Sequence, residues 1–295
     1  MKSAMTPISA LSIVEDLRAM GVHQADTLVV RADLGAIGRI KRQDLLEGLL
    51  EAVGSEGTVL ALAFTGSSFI KPADPNQSFS PLSRSYAGGL PNTMLADPRS
   101  KRSEHPICSF VAIGAKAEWL LQGHGPQSSC YEPIRRVVQD GGKMLLVGCV
   151  KSSPGFTTAH LAEYDLGLHR RIIMPWLNSA YYTDAKGKKH LFRVRDSGLC
   201  SKSFVKFYGL HVVQGILRTG QVGNAYSVIA PAAKSYEVER AMLATNPRFN
   251  VCDSPTCFIC NARRWDRVHH IPLYLIRNFK KIYNKLFGGS KQKSP

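Results

Sequence analysis

Apolar residues recur at helical spacing through residues 8–20 (ISALSIVEDLRAM) and again through Asp44–Val53 (DLLEGLLEAV), where Gly54 stops the pattern. Short unbroken apolar runs, Thr27–Arg31, Thr58–Phe64, Ile107–Ile113 and Lys143–Val147, predict buried strands. Between them the spacing predicts helices at Pro91–Leu95 and Ala115–Leu121, and a helix or strand-to-helix turn at Thr157–Tyr164. Further on, Ile172–Pro175, Ala180–Thr183 and His190–Val194 read as strands, with Asp184–Lys189 (DAKGKK) as a hairpin turn. Phe204–Arg218 and Ala232–Ala244 read as helices, and residues 66–92, rich in Ser, Pro and Gly, as a long functional loop. Strands alternating with helices predict an α/β fold with an antiparallel part near residues 172–195.

At 295 residues the economical reading is one domain of about 250 residues plus an appendage. No apolar run reaches the length of a membrane span, and the N-terminal stretch lacks the apolar core of a signal peptide, so a cytoplasmic location is expected. Cys108, Cys130, Cys149 and Cys200 are scattered among small or apolar residues and read as reduced, packed thiols. The net charge of +16 is uneven: from Cys252 onward, nine Lys or Arg against two Asp leave +7. The body is moderately basic and suits an anionic partner.

The most informative segment is Phe156–Asp165 (FTTAHLAEYD), which sets His160 and Glu163 one helical turn apart on one face. Imidazole is the side chain best suited to take a proton from an amine or hydroxyl near neutral pH. Taken alone, the spacing is more commonly that of a surface His–Glu pair. Its surroundings narrow the choice. Arg102-Ser103-Glu104-His105-Pro106-Ile107-Cys108-Ser109-Phe110 precedes Gly141-Gly142-Lys143-Met144-Leu145-Leu146-Val147-Gly148, which precedes His160-Leu161-Ala162-Glu163-Tyr164. In that order the motifs closely resemble the aminoglycoside 3-N-acetyltransferase family, the acetyl-CoA-dependent enzymes outside the GNAT type. Leu50–Thr58, Ala63-Phe64-Thr65 and Gly220–Gly223 add to the resemblance, which runs from about residue 10 to about residue 245.

The resemblance implies a mixed central sheet flanked by helices, a catalytic domain over residues 1–250, and an extension over residues 251–295. It implies direct acetyl transfer from acetyl-CoA to an amine, with His160 as general base. A carboxylate should orient the imidazole; Asp196 is the expected orienter, with Glu163 facing the substrate. Arg102, His105 and Ser109 are expected to line the pocket. Glu104 and Asp165 are candidate acceptor-binding acids. Asp33, Leu34, Gly35, Arg39 and Thr65 are candidates for the CoA site, with Lys41 and Arg42 as further phosphate partners. Cys149, near the HLAEY segment, keeps a covalent route open.

One departure bears on the substrate. Family members read VHSSLSSLG after the first strand, whereas this chain reads Val30-Arg31-Ala32-Asp33-Leu34-Gly35-Ala36-Ile37-Gly38. The hydroxyls expected near the thioester are absent. A polycationic aminoglycoside calls for an acidic groove, and this basic chain has few candidate acids. A neutral or anionic amino sugar, nucleotide-, lipid- or glycan-linked, is therefore the preferred acceptor, with an aminoglycoside as the other candidate.

The extension follows different chemistry. Cys252, Cys257, Cys260 and His269 could supply the four ligands of a structural zinc site. A reduced cysteine cluster and a redox pair remain open. Within residues 271–287, Leu275, Phe279, Ile282 and Leu286, beside Ile276, Tyr283 and Phe287, form an apolar helical stripe among Arg277, Lys280, Lys281 and Lys285. That composition predicts peripheral contact with anionic membrane at its inner face. A helix packed on the body or on a second copy in a homo-oligomer is the competing expectation. The rival function is an altered paralogue binding a partner or nucleic acid through the basic tail; the leading reading involves no nucleic acid.

Overall fold

The structure, a computed structural model, describes residues 7–196 and 198–286, without the side chains of Lys285 and Leu286. Phe287 and the GGSKQKSP tail lie outside the described residues. Helix α1 (Ala10–Ala19) leads into β1 (Thr27–Ala32), a single turn α2 (Leu34–Ile37), α3 (Arg42–Val53) and β2 (Thr58–Leu62). The polar stretch that follows contains β3 (Ser68–Phe69) and ends at α4 (Gly89–Leu95). Next come β4 (Lys101–Arg102), β5 (Phe110–Gly114), α5 (Ala117–Leu121), α6 (Glu132–Gln139), β6 (Lys143–Val147) and α7 (Thr158–Asp165). The hairpin β7 (Asn178–Thr183) and β8 (Lys189–Arg193) precedes α8 (Phe207–Val213), the hairpin β9 (Arg218–Val222) and β10 (Ala225–Pro231), and α9 (Ala232–Thr245). The extension adds α10 (Phe258–Ala262) and α11 (Ile271–Leu286).

The main sheet has the order β4-β5-β2-β1-β6-β10-β9. Its centre, β2-β1-β6, is parallel, and antiparallel pairs close both edges. Every residue of β2 is buried, as are the first four of β1 and the last four of β6, which is why these strands read as continuous apolar runs. Alternation sorts them between two layers. Leu28, Val30, Val59, Ala61, Leu145 and Val147 pack with α1, α3 and α4, whereas Val29, Leu60, Met144 and Leu146 pack with α5, α6 and Phe156. A mixed sheet flanked by helices is thus the architecture. The second sheet, β3-β7-β8, is antiparallel, and Asp184 Oδ1 accepts from the N–H of Lys186 and of Lys188 to close its hairpin.

Two local expectations fail for physical reasons, and one helix lies outside the sequence reading. Ile172–Pro175 is not a strand: two 3-10 turns, Leu168–Arg171 and Pro175–Leu177, bracket it, and Ile172 bridges only Arg264. Phe204–Arg218 is not one helix. A 3-10 turn (Ser201–Lys206) enters α8, and Arg218 opens β9 after Gly215 takes a φ of +66°. That helix is α6, with Pro133 in its first turn, where proline loses no helical hydrogen bond.

Candidate active site

Helix α7 is wedged between two apolar layers. Leu161 joins the core beneath the sheet, while Ala159 and Ala162 pack with Phe204, Phe207 and Leu243 behind it. This fixes the rotation of the helix and leaves Thr157 and His160 facing a cavity of about 260 Å³. The cavity lies beyond the carboxyl ends of β1 and β2, bounded by Val30–Ala32, Leu62, Phe64, Ser153, Ser201 and Phe204. In an open α/β sheet that is where ligands bind.

His160 is held on three sides. Its ring stacks on Tyr131 at 5.0 Å and meets Phe204 edge-on at 4.6 Å. Its Nδ1 lies 2.8 Å from Glu163 Oε2. Glu163 is fully buried, and two further donors converge on it: the Leu199 N–H reaches Oε2 at 3.0 Å and Asn250 Nδ2 reaches Oε1 at 2.5 Å. A carboxylate so fixed accepts the Nδ1 proton and leaves Nε2 with its lone pair. Gly198 packs flat against the pair; a Cβ there would come within 2.5 Å of His160 Nδ1 and would also strike the Tyr131 hydroxyl.

The carboxylate beside the imidazole differs from the expected one. Glu163, not Asp196, bonds the imidazole. Asp196 Oδ2 accepts from the Cys130 N–H at 3.0 Å, and burial pushes the Asp196 pKa up. Other expected pocket residues are committed elsewhere. Arg102 donates to the carbonyls of Ala63, Pro81 and Ser83 and to Ser109 Oγ, and lies over the Phe79 ring, with burial lowering its pKa to about 10. Ser109 is buried and donates to the Ala63 carbonyl. His105 is fully buried and stacks on His124, and its Nδ1 accepts from the Cys108 N–H at 3.0 Å. These three bind one strand end to its loops and do not face the cavity. Glu104 is exposed and likewise does not line it.

Asp165 is engaged by Arg135 (2.5 and 3.0 Å) and by the Tyr236 hydroxyl (2.6 Å). Burial alone would raise its pKa, but these partners outweigh burial and hold it below the usual carboxylate range. Asp33 is exposed and caps α2, accepting from the Gly35 N–H at 3.0 Å; Gly35 and Arg39 are exposed with it. Leu34 packs on the core. Thr65 donates to the Pro106 carbonyl and borders a separate cleft with Arg84, Tyr86 and Tyr181. Cys149 is buried, its thiol directed at the Arg31 carbonyl and its pKa raised by burial, so it is not an exposed nucleophile.

Several residues of the site escaped the sequence reading: Tyr131, Gly198, Asn250 and Arg31. Arg31 lines the cavity and donates to Ser153 Oγ (3.1 Å) and to the Gly155 carbonyl. Burial depresses its pKa, and among the described residues no carboxylate pairs with it. Its position in place of the family's histidine was the available signal.

The metal set also changes. Cys252, Cys257 and Cys260 gather with Cys200, not with His269, which instead packs against His270 with ring centroids 4.5 Å apart. Cys200 is therefore no isolated packed thiol.

Known proteins resemble this chain in sequence and in fold. An aminoglycoside N(3)-acetyltransferase III from Acinetobacter baumannii is 34% identical over 170 residues, 52% of this chain and 59% of the relative. An aminoglycoside N(3)-acetyltransferase VIII from Streptomyces fradiae is 30% identical over 182 residues, 53% of this chain and 61% of the relative. The chain thus spans about three fifths of the length of these curated relatives. Among solved structures, AAC-IIIb in binary complex with CoASH superposes with a TM-score of 0.69 at 26% identity, covering 81% of this chain and 97% of that one. The apoenzyme of AAC(3)-IVa shares the fold at 22% identity, with a TM-score of 0.73 over 90% of this chain and all of that one. The profile of the aminoglycoside 3-N-acetyltransferase family matches residues 29–244, so the chain belongs to that family.

Proposed function

We propose that this chain transfers an acetyl group from acetyl-CoA to the amine of an amino sugar. The observation that carries the reading is the His160–Glu163 pair, 2.8 Å apart, opening onto a cavity at the carboxyl ends of the central strands. A protonated amine cannot attack a thioester. The amine therefore attacks in its neutral form: His160 Nε2 takes a proton from the nitrogen as it adds to the thioester carbonyl, and the imidazolium so formed returns that proton to the thiolate as the C–S bond breaks. Glu163 stabilises the imidazolium and holds its tautomer. The AAC-IIIb complex with CoASH supports the donor, and the names of the curated relatives support an aminoglycoside or a related amino sugar as acceptor.

Arg31 refines the acceptor. A half-buried guanidinium with only neutral partners in the cavity wall favours an amino sugar that carries phosphate or carboxylate. The extension, in the same reading, carries structural zinc and offers α11 to an anionic membrane surface.

The test follows free thiol release from acetyl-CoA with aminoglycosides and with phosphate- or carboxylate-bearing amino sugars. Turnover with one class, and a fall of about 10²–10⁴-fold in His160→Ala, is the expected result. Absence of turnover with every amine, together with absence of CoA binding by calorimetry, would overturn the reading.

A further inference from the structure

Four sulfurs meet at one point where the extension joins the body. Cys200, Cys252, Cys257 and Cys260 are all buried, and their Sγ atoms lie within 4.8 Å of one another. Cys257 Sγ lies 3.5 Å from Cys200 Sγ, well beyond a disulfide bond of about 2.05 Å, and all four cysteines are free. Thiolates at about 2.3 Å from a zinc ion stand about 3.8 Å apart at tetrahedral corners, a separation that lies between the 3.5 Å approach of Cys257 to Cys200 and the 4.8 Å within which all four sulfurs fall.

The local backbone suits the same ligand. Cys257 and Cys260 form a C-x-x-C at the start of α10, with Cys257 at its N-cap. The Cys252 N–H donates to Cys260 Sγ at 3.4 Å, a contact that favours a sulfur carrying negative charge. Lys206 Nζ binds the carbonyl of Val251 at 2.8 Å, which puts a cation next to Cys252 in the chain. The four cysteines pack with Val251 and Ile259 in an apolar pocket.

We propose that Cys200, Cys252, Cys257 and Cys260 bind one zinc ion as a closed tetrathiolate site, with the fourth ligand drawn from the body and not from His269. The ion is structural, because four protein ligands leave no position for water or substrate. Its location gives it a specific task, which rests on the transferase reading above. Cys200 directly follows Leu199, whose N–H holds Glu163, and precedes Ser201 and Phe204 in the cavity wall. Cys252 lies two residues beyond Asn250, the other donor to Glu163. One ion therefore fastens both chain segments that hold the carboxylate behind His160.

The experiment uses the full chain purified without chelator, with zinc counted by atomic emission. About one equivalent per chain is expected in the wild type and in His269→Ala, and less than about 0.2 in Cys200→Ser. Less than about 0.2 equivalents in the wild type, zinc lost in His269→Ala, or zinc kept in Cys200→Ser would each overturn the ligand set. If Cys200→Ser does not fold, cobalt(II) in the wild-type chain decides: charge-transfer absorption of four thiolates supports the site, and that of three overturns it. Zinc-stripped protein should lose turnover and regain it on adding zinc; unchanged turnover would overturn the fastening of Glu163. The metal count is independent of turnover, so a failed acceptor panel would leave the zinc result standing.

Discussion

At the residue scale, the site depends on a carboxylate with three donors and a glycine with no room beside it. Glu163→Gln keeps the volume but replaces an acceptor with an amide that can present its own N–H to His160 Nδ1. The imidazole would then adopt the other tautomer, with its proton on Nε2, and could not accept one from the amine. A fall in kcat of about 10²–10⁴-fold is expected with the KM for acetyl-CoA nearly unchanged, as for loss of an orienting carboxylate elsewhere; steady-state kinetics with normal kcat would remove Glu163 from this role. Gly198→Ala tests the same geometry sterically. The added methyl would press on His160 Nδ1 and Tyr131, costing about 1–3 kcal/mol of stability. Displacing the imidazole by about 1 Å should lower kcat roughly 10²-fold. Thermal melts and kinetics together would show whether the two effects travel as a pair.

At the scale of elements, the loops around β4 and β5 carry a pH dependence. His105 and His124 are both buried, stacked 5.1 Å apart, and burial depresses their pKa values to about 4 and about 3. Below about pH 6.5 the unfolded chain therefore binds protons that the folded chain refuses. Stability is intact above that pH and falls as the pH drops, by about 1.4 kcal/mol per pH unit for each histidine. Denaturant midpoints measured from pH 7.5 to pH 5 should fall steeply, and His124→Gln should remove roughly half of the histidine contribution; an unchanged slope would exclude it. The central strands were legible because β1, β2 and β6 are buried on both faces and so carry unbroken apolar runs. His160 was legible because one helix holds the whole local motif. Glu163's role was not: its other two donors, Leu199 and Asn250, come from 36 and 87 residues away. Residues such as Arg102 and His105 matched the family motif, but the sequence could not distinguish a residue that shapes a loop from one that faces the cavity.

At the scale of the whole molecule, the extension is attached by one side and uncovered on another. Among the described side chains of α11, Tyr274 and Asn278 are the buried ones, and Tyr274 packs near Phe258. Part of the apolar stripe read from the sequence lies outward: Ile276 is 74% exposed and Phe279 69%, with Leu275 also exposed, whereas Ile282 is half-buried and the Leu286 and Phe287 side chains lie outside the described ones. Arg277, Lys280 and Lys281 are exposed around the stripe, and a neighbouring cleft of about 450 Å³ is bordered by Lys206, Arg248, Arg267 and Arg277, with Asp253 its one acid. No helix among the described residues is long and apolar enough to cross a membrane. Apolar side chains flanked by cations instead match a surface of anionic headgroups, where each cation contributes about 1 kcal/mol and the apolar residues enter the acyl boundary. The chain should pellet with phosphatidylserine-containing vesicles, more weakly with phosphatidylcholine alone, and less at high salt. Ile276→Glu with Phe279→Glu should abolish pelleting without lowering the melting temperature, since both side chains face solvent. If the doubly substituted chain still pellets, α11 is not what meets the lipid; if the parent chain ignores anionic vesicles, the uncovered stripe belongs to a protein surface, and the sedimentation equilibrium of the two chains would then differ in oligomeric state.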